Sequence, residues 1–266
     1  MIFPDLGIGT IQDQLWLLLF VMVRIGAALL AAPLFGIRAV PVQVRVIFAG
    51  AMAVFILNWL PVRVPEEMLG VETLVALVGE AVIGLMLGFT LQLAFAAPLL
   101  AGEQIAGGMG MAIATAVDPN SGSQSGVVGQ MLGIMLTLIF LAIGGHLLWL
   151  RLVVESYALF PPGSDWDIGA QAWRVASFAS QAFATALVIA LPITLVLLLV
   201  QMVTGVISRS APSLNLFALG LPASVLAGIA ALIASTPLLT DQFVTLAETA
   251  IGQVGMIARP DGAGAP

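Results

Sequence analysis

Few side chains in this 266-residue sequence can do chemistry. There is no cysteine and no lysine, and His146 is the single histidine. Disulfides and thiolate metal sites are therefore excluded. One histidine and scattered carboxylates do not make a metal site, and no cofactor is implied. A phosphate-cradling loop lacks the lysine it requires. Ser121, Ser123 and Ser125 lie upstream of His146, but Gly122-Ser-Gln-Ser-Gly126 has Gln124 where a nucleophile elbow needs serine. On one continuous helix Ser125 and His146 would stand about 30 Å apart. That is too far for a catalytic pair, so His146 reads as a polar contact at a helix end. Arg24, Glu80 and Glu103 remain, in or beside apolar runs. An acid at such a position is by default a candidate proton carrier. The alternative is pairing with an arginine or a helix terminus inside an assembly, and no relay of further acids accompanies them.

The elements that must position these groups are apolar. The chain is 61% hydrophobic and 8% charged, with a mean hydropathy of +1.13. Soluble domains carry about a quarter charged residues, so this is a membrane-class composition. The net charge of −6 includes no basic patch for nucleic acid. The N-terminus has no basic residue before its first apolar run and does not resemble a cleaved signal peptide.

Six apolar runs stand at residues 15–30, 46–60, 74–100, 127–150, 179–206 and 216–235. A crossing helix needs about 20 residues. The first two are marginal and the third and fifth exceed that length. Such unevenness predicts tilted or protein-packed helices. Pro98 and Pro192 predict kinks. Gly84-x-x-x-Gly88 predicts close approach of another helix. Residues 160–169 read as a loop and 208–215 as a tight turn. Phe243, Leu246, Ala250, Val254 and Ile257 share one helical face. Six spans put both termini on one side, with three arginines in one set of connectors and four in the other, which fixes no orientation. The fold class expected is all-α, with about six long apolar helices, some kinked.

Residues 102–130 differ from everything around them. They hold Gly107, Gly108, Gly110, Gly122, Gly126 and Gly129, the turn Asp118-Pro119-Asn120, and Met109, Met111, Ile113 and Val117. Glycine permits positive φ and close approach. Irregular backbone at membrane depth survives only against protein or a water-filled cavity. The stretch reads either as a lining or closure at the centre of something, with the glycines of 107–110 giving backbone freedom, or as a connector outside the bilayer. Glu103 and Asp118 bracket it as possible anchors.

Four motifs in order carry a resemblance. They are FVMVRIGAALLAAPLFGIRAVPVQVRVIFA at residues 20–49, GEAVIGLMLGF at 79–89, AGEQIAGGMGMAIATAVDP at 101–119 and SRSAPSLNLFALGLP at 208–222. Across residues 10–250 the chain resembles the FliR family of type III secretion export-apparatus proteins, with the stretch from Asn215 to Gly220 leaning flagellar. The resemblance implies a non-enzymatic subunit of an export gate in the bacterial inner membrane at the flagellar basal body. FliP-like, FliQ-like and FlhB-like subunits would be its partners, and unfolded flagellar proteins the cargo. It implies one subunit over 1–266, with a FliP-like part at about 10–160, a FliQ-like part at about 161–258 and a disordered tail at 259–266. It makes residues 106–122 a pore plug, including Gly107, Gly108, Met109, Gly110, Met111, Ile113, Val117, Asp118 and Pro119. Arg24, Glu80, Glu103, Arg209 and Asn215 would serve burial and assembly. The alternatives are an injectisome homologue and a proton-coupled small-molecule permease.

Overall fold

The computed structural model describes residues 8–37, 39–60, 62, 70–111, 126–164, 166–210 and 216–258. Among these residues the chain is all α-helix, without strands. The helices are α1 (Ile8–Ala31), α2 (Val42–Trp59), α3 (Val71–Gly108), α4 (Val127–Ala142), α5 (Gly145–Leu159), α6 (Ile168–Ser210), α7 (Leu216–Ala234) and α8 (Thr236–Ile257). Four of them are long and apolar enough to cross a membrane, or six spans if each broken pair, α4–α5 and α7–α8, counts as one. At 1.5 Å per residue α3 and α6 are about 57 and 65 Å long, roughly twice the hydrocarbon thickness.

Neither break falls at Pro98 or Pro192. Pro98 lies inside α3 and Pro192 inside α6, and both helices continue through them. One lost hydrogen bond in a long apolar helix is outweighed by the bonds on either side. The fourth apolar run, read as a single element, is instead two helices. Gly144 stands between them at φ 73, a left-handed conformation that ends a helix. The run at 216–235 likewise meets the next helix with a 63° bend.

The chain divides into two compact units. One comprises residues 1–93, 144–179 and 249–266, the other residues 94–143 and 180–248. In the first, α1 and α3 are held at backbone contact by the paired glycines. A Cβ on Gly84 would strike the Arg24 carbonyl and lie 2.9 Å from the Ala27 Cβ; one on Gly88 would strike the Ala28 carbonyl. The predicted close approach is therefore real, and α1 is what it admits. Trp149 of α5 is fully buried, donates Nε1 to the Leu87 carbonyl of α3 at 3.1 Å, and stacks on Phe35 at 5.9 Å. The α8 face predicted from spacing, whose residues fall in both units, is buried at each of Phe243, Leu246, Ala250, Val254 and Ile257. Asp167 caps α6 by accepting the Ala170 N–H at 3.0 Å, ending the loop from residue 160.

In the second unit the crossing is tighter still. A Cβ on Gly102 of α3 would lie 2.2 Å from the Cα of Gly129 in α4, a clash with its backbone. Phe95 and Phe140 meet edge to face at 5.4 Å on the same pair of helices.

Gly84→Val is expected to destabilise the folded chain by about 1–3 kcal/mol, because backbone atoms of α1 cannot yield as a flexible side chain would. Gly26 and Gly79 have open space where a Cβ would go. Alanine at either is expected to be neutral or stabilising. Thermal unfolding in detergent distinguishes the two classes.

Candidate functional site

Two sets of residues singled out from sequence lie in the described structure, one in each unit. The first is built on Arg24. Its position in the middle of α1 places a guanidinium where water cannot reach, and it is 0% exposed. Such a charge persists only if its donors are met. Nε donates to Glu80 Oε2 at 2.7 Å and Nη2 to Glu80 Oε1 at 2.7 Å, a bidentate pair. Nη2 also donates to the Phe160 carbonyl at 2.8 Å, and Nη1 to Ser156 Oγ at 3.1 Å. The ring of Tyr157 lies 4.1 Å from the guanidinium carbon. Tyr157 in turn donates its hydroxyl to the Val21 carbonyl at 2.6 Å. Arg24 thus ties together α1, α3 and the end of α5.

Glu80 has both oxygens on one arginine. An apolar groove of about 750 Å³ beside it is lined by Val71, Val75, Val78, Val82, Pro161 and Trp166, with Glu72 as its other acid. Among the described residues no set of converging polar groups stands there for a reaction. Ser156, Tyr157 and Trp149 were not foreseen. The signal was present: they recur on one face of a helix, and Tyr157 is the only tyrosine in the chain.

The second set is at the end of α3. Gly107 and Gly108 are its last residues, so the freedom read into the glycines of 107–110 is not found at these two. Only Gly110 has a positive φ, 79°. The Met111 N–H donates to the Ala106 carbonyl and the Gly110 N–H to the Gly107 carbonyl, each at 3.0 Å. This is a Schellman cap, in which glycine is needed at one position. Met109 is buried. The Glu103 carboxylate accepts the Gly126 N–H and so caps α4. Ile113, Val117, Asp118, Pro119, the three upstream serines and Asn215 lie outside the described residues. Arg209 is exposed in the last turn of α6.

His146 sits in the first turn of α5, where a polar contact was expected, but its buried Nδ1 has no partner among the described residues. Among the described residues no group of three or more histidines, cysteines or carboxylates could hold a metal ion.

Helices long enough to span a membrane, with their buried polar groups spent on packing, define a helical membrane protein. The chain matches family 1 of the bacterial export proteins over residues 15–250. The flagellar biosynthetic protein FliR of Pectobacterium carotovorum subsp. carotovorum is 33% identical over 217 residues, 82% of this chain and 83% of the relative. FliR of Escherichia coli (strain K12) is 33% identical over 230 residues, covering 84% and 86%. FliR of Bacillus subtilis (strain 168) is 31% identical over 223 residues, covering 82% and 85%. The chain belongs to the FliR family of bacterial export proteins. It is a membrane component of an export apparatus, structural in role and not an enzyme.

Removing one partner of the buried pair, as in Arg24→Met, is expected to cost about 3–5 kcal/mol, because it strands the other charge. Arg24→Met with Glu80→Leu is expected to cost less than either single change, read by a double-mutant cycle on thermal unfolding. At the cap the glycines should separate. Gly107→Ala, with open space around it, is expected to gain up to about 1 kcal/mol. Gly110→Ala is expected to lose about 1–2 kcal/mol at its positive φ.

Proposed function

We propose that this chain is a structural subunit of the export gate of the flagellar type III secretion system. It assembles with FliP-like and FliQ-like subunits, with an FlhB-like subunit nearby, in the inner membrane at the flagellar basal body. Residues 106–122 close the pore when no unfolded flagellar cargo is passing. Within the subunit, residues up to about 160 correspond to the FliP-like part and those after it to the FliQ-like part. What supports this reading is family membership together with the position of the glycine-rich stretch. It departs from the capped end of a long apolar helix and returns to the helix beside it.

The relatives compared are flagellar, which favours that reading over an injectisome homologue. The engagement of both Glu80 oxygens by Arg24 favours a structural acid over the proton relay a permease would need. Glu80→Gln keeps the shape of the side chain and removes its charge. Secretion is expected to fall with it only as far as assembly falls. Normal assembly with abolished transport would revive the relay.

The gate reading is tested by deleting residues 112–121 and producing the chain with its FliP-like and FliQ-like partners. The complex is expected to assemble and to conduct ions when reconstituted in a planar bilayer, whereas the parent complex stays closed. An assembled deletion complex that is electrically tight would reduce the stretch to a connector. A chain that remains a stable monomer and ignores these partners would remove the assembly itself.

A further inference from the structure

We propose that the groove between the start of α3 and the loop leading into α6 seats one phospholipid with an amine-bearing headgroup. An acyl chain lies along α3, and the ammonium group meets Glu72. The site lies wholly within the first unit and is independent of what residues 106–122 do.

Val71, Val75, Val78 and Val82 fall on one stripe of α3. A stripe of that kind ordinarily faces the core. Here Val71, Val75 and Val78 remain 78%, 66% and 63% exposed. They line the apolar groove of about 750 Å³, whose other lining includes Pro161 and Trp166. Gly79 lines it too, and a Cβ there would meet nothing within 4 Å. The volume selects a hydrocarbon chain over a helix. A helix is about 10–12 Å across, so along the stretch from Glu72 to Val82 it would take up roughly 1,300–1,900 Å³. A single acyl chain is far narrower.

Charge selects the headgroup. Among the described residues Glu72 and Glu80 are the ionisable side chains that line the groove, and both Glu80 oxygens are spent on Arg24. Glu72 is left as an exposed carboxylate beside an apolar track. Its complement is a cation joined to a hydrocarbon tail. In the first turn of α3 an acid also suits the helix dipole, which accounts for Glu72 but not for the uncovered valines. Trp166 adds a donor, since its buried Nε1 has no acceptor among the described residues. An unmet donor of that kind is costly, and the phosphate and ester oxygens next to a lipid ammonium are acceptors. Indole rings also favour the headgroup level of a bilayer.

The test titrates the full chain in mild detergent with dioleoyl phosphatidylethanolamine or dioleoyl phosphatidylglycerol and counts bound lipid by native mass spectrometry. One phosphatidylethanolamine per chain is expected to be retained in preference to phosphatidylglycerol. Glu72→Gln changes an exposed side chain and leaves the packing alone. It is expected to weaken that retention about three- to fivefold, the worth of one exposed ion pair, without weakening phosphatidylglycerol. Gly79→Leu puts a side chain into the groove and is expected to abolish retention of either lipid there. If that variant does not fold, Glu72→Gln decides alone. Retention that does not distinguish the two lipids, or that is the same in Glu72→Gln as in the parent, would overturn the proposal. The titration is repeated on the chain assembled with its FliP-like and FliQ-like partners, where the parent is expected to hold one more phosphatidylethanolamine than the Gly79→Leu complex. A lipid held by the free chain and lost on assembly would give the groove to a partner subunit and overturn the lipid seat.

Discussion

A guanidinium buried among apolar helices imposes a demand that cannot be left partly met. Arg24 presents five N–H donors and no acceptor, and each unpaired one would cost a desolvation penalty with no return. Glu80 on α3, with Ser156 and the Phe160 carbonyl at the end of α5, meets that demand from two separate stretches of chain. The geometry of the first unit follows. Gly84 stands one turn beyond Glu80 and admits the backbone of Arg24 itself, so the glycine pair and the ion pair are two halves of one crossing. Replacing the charges by apolar residues of similar volume is often tolerated in proteins; losing one charge is not. The network is thus better read as fixing register among α1, α3 and α5 than as a source of stability.

Much of this was legible in the chain, and the exceptions have physical reasons. Membrane-class composition and long apolar runs gave the helices, and periodicity gave the buried face of α8. Gly84 and Gly88 announced a crossing because small residues at that spacing have few other uses. The partner of Arg24 was not legible, since Glu80 lies 56 residues away and nothing local links them. The helix break at Gly144 was not legible, because proline is a local penalty, whereas a break needs a conformation that other bonds cannot override. Pro98 and Pro192 lose one bond each inside helices of 38 and 43 residues. Gly144 adopts a left-handed φ that leaves the helix outright.

The glycines at the end of α3 carry the same lesson for the candidate site. Three of them within four residues suggested freedom, yet freedom belongs to a glycine only when its surroundings leave it unused. Gly107 and Gly108 are held in helix, and only Gly110 uses its range of φ. The motif resemblance correctly indicated the family over nearly the whole chain. It could not show which glycines of the central stretch are held in helix, because a family motif records identity and not restraint.

The meeting of Ala106 with Gly126 bears on how this protein can vary between lineages. The chain leaves one helix and rejoins the next at a single point, clasped by Glu103. The clasp, and not the length of the connection, sets where α3 ends and α4 begins. Doubling such a loop adds only about 0.6 kcal/mol of closure cost. Insertions, deletions and wholesale replacement there leave α3 and α4 where they were.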